Sequence, residues 1–269
     1  MLIAQISDLH VLADGTLLNG VVDTQSTLAA AIDHIGGLDP RPDLVLATGD
    51  LTQDGRPEDY ALLRSAFGSL PMPVYVIPGN HDNRTNLRAA FTDQGYLPET
   101  GEFLHYAVDR YPLRLIGLDT VIDGDVGGRM CPARMQWLDE RLSEQPDRPT
   151  VIFMHHPPFA TGIAFMDRPS FKGAQELETL IRRFPAVRLI TCGHVHRAIQ
   201  TRWAGVLATV APSIVFQMAL ELAEGAPSAF VVEPPAISLH LWRDGEGPIV
   251  LTSLIGDFGP RHRFHMEPV

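Results

Sequence analysis

Cysteine is scarce in this chain. Cys131 and Cys192 are the only two in 269 residues, a usage that fits a reducing compartment rather than a disulfide scaffold. Cys192 lies in the apolar run 189–192 and reads as a buried strand residue. Positive charge is in short supply too, with 21 basic side chains against 32 acidic ones and a formal net charge of −11. Polynucleotides and anionic membranes are bound by basic surfaces, so neither is an expected partner. Long apolar runs are missing. The longest uncharged stretch, 204–220, is broken by Gly205, Pro212, Ser213 and Gln217, and makes a poor membrane span. The opening MLIAQISDLH has no basic segment before its short apolar run, so no secretory leader is expected and the cytoplasm is the expected compartment. Internal repeats, low-complexity tracts and linkers are absent, which leaves one domain.

What is present is an ordinary soluble composition, 45% apolar and 20% charged, in a repeating order of short strand-like runs and helical segments. Strands are expected at 2–7, at DLVLATGD (43–50) and at PVYVIPGNHD (73–82), the second so apolar that both its faces should be buried. Helices are expected at 24–35 with Asp23 as N-cap, from Pro57 onward with Glu58 and Asp59 in the first turn, at 85–92, at 132–143 and at 170–184. FLHYAVD and PLRLIGLDT read as an antiparallel pair, and TVIFMHHPP and RLITCGHVH as two further strands. Past His196 the pattern becomes β-rich. Residues 1–203 are read as the catalytic core, and 204–269 as a β-rich part of the same domain, placed to cap the site or make an oligomer contact.

Five of these runs end in a polar cluster: Asp8-Leu9-His10, Gly49-Asp50, Gly79-Asn80-His81-Asp82, His155-His156 and Gly193-His194-Val195-His196. One histidine after a strand is ordinary, and Asp-x-His or His-x-His alone is weak. Five clusters, each directly after an apolar run, point to one basin, because ligands of α/β sheets collect at the carboxyl ends of strands. In an extended segment, side chains i and i+2 share a face, so Asp-x-His and His-x-His can each grip an ion. Imidazole and carboxylate donors together suit zinc, manganese, iron or cobalt. Gly49, Gly79 and Gly193 allow the tight turns that aim them. Two divalent cations would leave a positive site inside an acidic protein, attractive to a phosphate ester and able to acidify a water. A nucleophilic serine or cysteine has no signature here: there is no G-x-S-x-G and no Cys-His pairing.

The ordered set D-x-H, GD, GNHD, H and GHxH resembles the calcineurin-like metallophosphoesterases. ISDLH, GRPEDY, PVYVIPGNHD, FMHHPP and CGHVH are more narrowly similar to the class III cyclic nucleotide phosphodiesterases and the bacterial glycerophosphodiesterases of that group. The resemblance implies a four-layer α/β/β/α sandwich with a small C-terminal β-rich extension. It implies a two-metal site in which Asp8, His10 and His196 hold one ion, Asn80, His155 and His194 the other, and Asp50 bridges. His81 would touch the phosphate or leaving group, with Asp82 either orienting it or shaping the turn, and His156 would point away or line the pocket. The implied reaction is hydrolysis of a small phosphodiester, with Asp50 and His81 the catalytic residues. The alternatives are a phosphomonoesterase, a nuclease or a non-catalytic metal-binding scaffold. A homodimer or larger homo-oligomer is also implied. The sequence departs from those glycerophosphodiesterases at Asn19, where they carry an aromatic residue, and in having no cysteine in its C-terminal part. Candidate substrate-wall residues are Asn19, Asn83, Arg84, Phe165, Met166, Asp167, Arg168 and Arg197, with Phe216, Gln217 and Met218 as a cover.

Overall fold

The computed structural model describes residues 1–168, 171–243, 245–260 and 262. Along the chain the elements are β1 (Leu2–Ile6), α1 (Thr24–Gly36), β2 (Leu44–Thr48), α2 (Pro57–Gly68), β3 (Val74–Ile77), α3 (Arg84–Phe91), β4 (Tyr106–Val108) and β5 (Arg114–Leu118). They continue with β6 (Val121–Ile122), β7 (Asp125–Gly128), α4 (Pro132–Glu144), β8 (Thr150–Met154), α5 (Ala164–Asp167), α6 (Ala174–Arg182) and β9 (Val187–Cys192). The last are β10 (Ile199–Trp203), β11 (Val206–Val210), β12 (Gln217–Met218), β13 (Phe230–Val231), β14 (Ala236–Arg243) and β15 (Gly247–Leu254). Asp23 caps α1 as expected, its carboxylate accepting from the N–H groups of Gln25 and Ser26, and Pro57 opens α2.

Two sheets carry the fold, in the orders β15-β14-β1-β2-β3 and β10-β11-β9-β8-β5-β4. Strands β1 to β3 are parallel, as are β5, β8, β9 and β11, while β4 pairs antiparallel with β5 as the sequence predicts. Strand alternation sorts the second sheet's side chains. Leu115, Val151, Phe153 and Leu189 join the apolar cluster of the first sheet, whereas Ile116, Ile152 and Ile190 pack with Leu138 and Leu142 of α4 and Leu177 and Ile181 of α6. Helices α1, α2 and α3 cover the first sheet with Leu28, Ile35, Tyr60, Leu63, Leu87 and Phe91. The result is the expected four-layer α/β/β/α arrangement. Between the sheets, the buried Gln5 amide donates to Thr48 Oγ1 and to the Cys192 carbonyl, both at 2.9 Å, and accepts from Thr191 at 2.6 Å. Those bonds tie β1 to β9 directly beneath the strand ends that carry the polar clusters.

The helix expected over 170–184 starts later, at Ala174. Residue 172 pairs instead with the β7 end of the hairpin: Lys172 N–H donates to Gly128 and Met130 N–H to Lys172. Ser170 lies outside the described residues. Both cysteines are free. Strand β14 lies antiparallel beside β1, and β15 forms the edge of that sheet. Residues 261 and 263–269, at the end of the segment read as 204–269, lie outside the described residues. Among the described residues, no helix is long and apolar enough to cross a membrane.

Candidate dinuclear metal centre

The loops after β1, β2, β3, β8 and β9 are stitched together by main-chain bonds. His10 N–H and Leu9 N–H both donate to the Asp50 carbonyl, Asp8 N–H to Gly49, and Gly193 N–H to the His155 carbonyl. The carboxylates are anchored by main chain as well: Asp8 accepts from His194 N–H at 2.9 Å, and Asp50 Oδ1 accepts from His81 N–H at 2.8 Å. This stitching holds Asp8, His10, Asp50, His194 and His196 at positive φ, between 46° and 71°, a region that side chains other than glycine seldom occupy. Gly49 also has positive φ, at 87°. Gly193 serves differently: a Cβ there would collide with Ser7 Oγ and come within 2.9 Å of Asp8 Oδ2. Its role is close approach rather than a special backbone angle.

The side chains fall into two adjoining groups, Asp8, His10, Asp50 and His196 in one and His155, His156 and His194 in the other, with donor atoms inside 4.8 Å within each. Asp50 Oδ2 stands between them, 3.7 Å from His10 Nε2 and 3.4 Å from His155 Nε2. Asn80 Oδ1 is 3.2 Å from His155 Nε2, so the amide oxygen joins the second group.

Whether these residues fit cations is decided by where their protons go. His10 Nδ1 lies 2.8 Å from Gln53 Oε1, His196 Nδ1 3.2 Å from the Phe216 carbonyl and His155 Nδ1 2.9 Å from the Thr48 carbonyl. Each Nδ1 therefore donates, leaving each Nε2 a lone pair. Yet His10 Nε2 and His196 Nε2 face one another at 3.1 Å, and His155 Nε2 faces Asn80 Oδ1 and Asp50 Oδ2. Acceptors aimed at acceptors in a buried basin call for a cation between them, and the set fits two divalent ions. Protonation follows the same arrangement. Burial lowers His10 to about 4 and His194 to about 3, and raises Asp8 to about 7. Burial also opposes charge on His155, but Asp50 beside it wins and lifts it to about 9, so a proton is the alternative to a metal ion between His155 Nε2 and Asp50 Oδ2. Burial disfavours the Asp50 carboxylate, and His155 outweighs that and holds it well below the usual range.

A cleft of about 340 Å³ opens over these donors, lined by His10, Asp50, Asn80, His81, His194 and His196 and also by Gln53. His81 Nδ1 lies 3.0 Å from the Gln53 carbonyl, which leaves Nε2 as its other ring nitrogen. Asp82 turns away from His81. Its carboxylate takes the N–H groups of Gly79 (2.8 Å) and Leu51 (3.1 Å) and the Tyr60 hydroxyl (2.8 Å), so it shapes the turn. His156 lines a neighbouring pocket and sets its Nδ1 2.8 Å from Thr120 Oγ1.

Of the wall candidates, Asn19, Phe165, Met166, Phe216 and Met218 line the cleft. The others are occupied elsewhere. Asn83 caps α3. Arg84 makes a two-pronged bond to Asp119 and also holds Asp123 and the Val121 carbonyl. Asp167 accepts from Thr161 and Gly162, and Arg197 bonds the Met218 carbonyl and Glu233. Gln217 donates to Ser213. Arg168 is exposed and outside the cleft lining. Sequence reading missed Gln53, the one side chain that fixes the His10 ring. Its position three residues after Asp50, in the same loop, was the available signal.

Residues 1–198 match the calcineurin-like phosphoesterase family. Over 99% of its length and 98% of the relative's, the chain is 38% identical to the probable glycerophosphodiester phosphodiesterase GpdQ of Arcobacter nitrofigilis. It is 30% identical, over 80% of its length and 76% of the relative's, to the 3',5'-cyclic adenosine monophosphate phosphodiesterase CpdA of Escherichia coli. Among solved structures, a dimetal phosphatase from Danio rerio superposes with a TM-score of 0.67, covering 95% of this chain and 99% of that one at 14% identity, a likeness of fold alone. Five strand-end clusters gathered into one acceptor-lined basin and a match spanning residues 1–198 lead to one conclusion: the chain belongs to the calcineurin-like phosphoesterases.

Proposed function

We propose that this protein is a dinuclear-metal phosphodiesterase acting on small diesters, glycerophosphodiesters first. The observation that carries the reading is the pair of imidazole and carboxylate donor groups joined through Asp50 Oδ2 at the floor of an open cleft. Asp8, His10 and His196 would hold one ion, Asn80, His155 and His194 the other, and Asp50 both. What iron, manganese, cobalt or zinc supplies there is charge for an anionic phosphate and acidity for a water. The chain's own contribution is positioning. Gln53, Phe216 and Thr48 fix three imidazoles through Nδ1, so their Nε2 atoms stay on target without reorganisation. His81 donates Nδ1–H to the Gln53 carbonyl, so only as the imidazolium would it hand an Nε2 proton to the leaving oxygen and return to the neutral ring, a transfer worth about 10²–10⁴ in rate.

The substrate class follows from what lines the cleft. Among the described residues no lysine or arginine does; the outer wall is Leu18, Asn19, Val126, Phe165, Phe216 and Met218. A polynucleotide or a second phosphate finds no partner there, whereas neutral or zwitterionic esters lose nothing. The Arcobacter relative, matched end to end, supports glycerophosphodiesters. The Escherichia coli relative supports 3',5'-cyclic nucleotides as the second reading. Residues past 203 belong to the same unit, since Phe216 and Met218 form part of the wall. The free cysteines fit a cytoplasmic setting.

The test is hydrolysis of glycerophosphocholine, glycerophosphoethanolamine, cyclic AMP and p-nitrophenyl phosphate by protein loaded separately with manganese, iron, cobalt and zinc. Faster turnover of a glycerophosphodiester than of the monoester is expected. Monoester turnover exceeding every diester, with each metal, would sink the reading.

A further inference from the structure

A second pocket, of about 260 Å³, adjoins the cleft and shares His194 and Met166 with it. Its walls come from the loop after β8 (Pro157, Pro158, Phe159), from α5 (Met166) and from Phe171 and Ala174 at the start of α6. Its inner wall includes His156, which is 2% exposed and has a buried Nε2 without a hydrogen-bond partner. Gly128 maintains the space, since a Cβ on it would stand 2.5 Å from His156 Cβ and 2.8 Å from the Phe171 ring. The carboxylate of Asp167, also in the lining, is already taken by Thr161 and Gly162.

We propose that this pocket is a second substrate subsite, which receives the ester group that stays on phosphorus after cleavage. The inference rests on the phosphodiesterase reading above and adds the placement of the two substituents. An acyclic diester carries two organic groups that leave phosphorus in different directions, and two adjoining cavities give each of them its own place. His194 belongs to the donor groups and is common to both cavities, which sets the phosphate at their junction. His81 lines the cleft and not the second pocket. The leaving oxygen therefore lies on the cleft side, and the retained group on the side of Phe159 and Phe171. The lining also fixes the chemistry of that group. With Pro157, Pro158, Phe159, Phe171 and Ala174 around it and no cationic side chain among the described lining residues, the retained group is compact and uncharged, as the glyceryl unit of a glycerophosphodiester is and its choline or ethanolamine is not, and it sets carbon against the rings. Benzene fills an engineered cavity of about 150 Å³, so a ring-sized substituent has room here.

The test uses metal-loaded enzyme and two diesters with the same leaving group, methyl p-nitrophenyl phosphate and phenyl p-nitrophenyl phosphate, reading nitrophenolate release. Wild type is expected to favour the phenyl ester in kcat/KM by about tenfold, the return on burying a ring. Ala174→Leu, which fills the pocket, should erase that preference while leaving the methyl ester within about twofold of wild type, since the methyl group does not reach the filled space. Phe159→Ala, which removes a wall, should lower the preference by raising KM for the phenyl ester alone. No phenyl preference in wild type overturns the proposal. So does a parallel loss of both substrates in Ala174→Leu, or a preference that survives both variants. Cleavage of neither diester by wild type is a different result: it overturns the phosphodiesterase reading, and this inference with it.

Discussion

The two halves of the donor basin are built to different standards. Around Asp8, His10 and His196 everything is buried, and both imidazoles are pinned at Nδ1, to Gln53 Oε1 and the Phe216 carbonyl. Phe216 also stacks on the His196 ring at 4.5 Å between centroids. On the other side His155 is buried and pinned to the Thr48 carbonyl in the same way, but Asn80 and His194 are half-buried. His194 meets its neighbours by ring packing, with centroids 5.1 Å from His155 and 4.7 Å from His156, and the oxygen donor is a neutral amide. A rigid, enclosed set would hold an ion firmly, while a half-open one with a weak ligand would let its ion exchange. An acidic protein gains from this asymmetry, because a third carboxylate in place of Asn80 would dilute the positive charge that draws phosphate.

Four experiments break or sharpen that contrast, beginning with the largest effect. Asp50→Ala removes the atom common to both halves, and diesterase turnover should fall by about a thousandfold or more, with metal analysis showing loss on both sides. Wild-type activity in this variant would end the two-ion account. Gln53→Ala frees the His10 ring, and metal affinity on the enclosed side should drop about 10–100-fold. Calorimetric titration should show the second affinity unmoved; a change on both sides would mean that the halves are not independent. Dialysis against a weak chelator should strip the half-open side first, at roughly a tenfold lower chelator concentration than the enclosed side. Activity should follow that first loss and return when metal is added back. Asn80→Asp has the smallest effect: the exchangeable ion binds severalfold tighter and turnover falls. Faster turnover with unchanged affinity would remove the explanation for the amide.

Much of this was legible in the sequence because the signals are local. Strand β2 announces itself by the apolar run Leu44, Val45, Leu46 and Ala47, Asp23 and Pro57 mark helix starts, and the polar clusters follow directly on apolar runs. What escaped is set by partners far apart in the chain. Arg84 sits beside the GNHD turn and so reads as a substrate contact, but the buried Asp119, which donates nothing itself, captures its guanidinium. Gln53 is an unremarkable loop residue until the fold brings His10 to within 2.8 Å of it. Strand β15, residues Gly247–Leu254, falls inside the stretch read as β-rich without a strand of its own being assigned, because at the sheet edge its exposed and half-buried residues give no buried face to read. Asp82 could orient a histidine or close a turn, and the Gly79 and Leu51 N–H groups and the Tyr60 hydroxyl that fill its carboxylate decide it.

The left-handed backbone at Asp8, His10, Asp50, His194 and His196 bears on any attempt to engineer the protein. Each such position costs about 1 kcal/mol or more that a glycine would not. A selection for higher melting temperature, blind to turnover, will therefore find some of its easiest gains at these five residues. Every glycine it accepts there removes a side chain that we propose holds a cation, so heat tolerance and catalysis would compete for the same backbone angles.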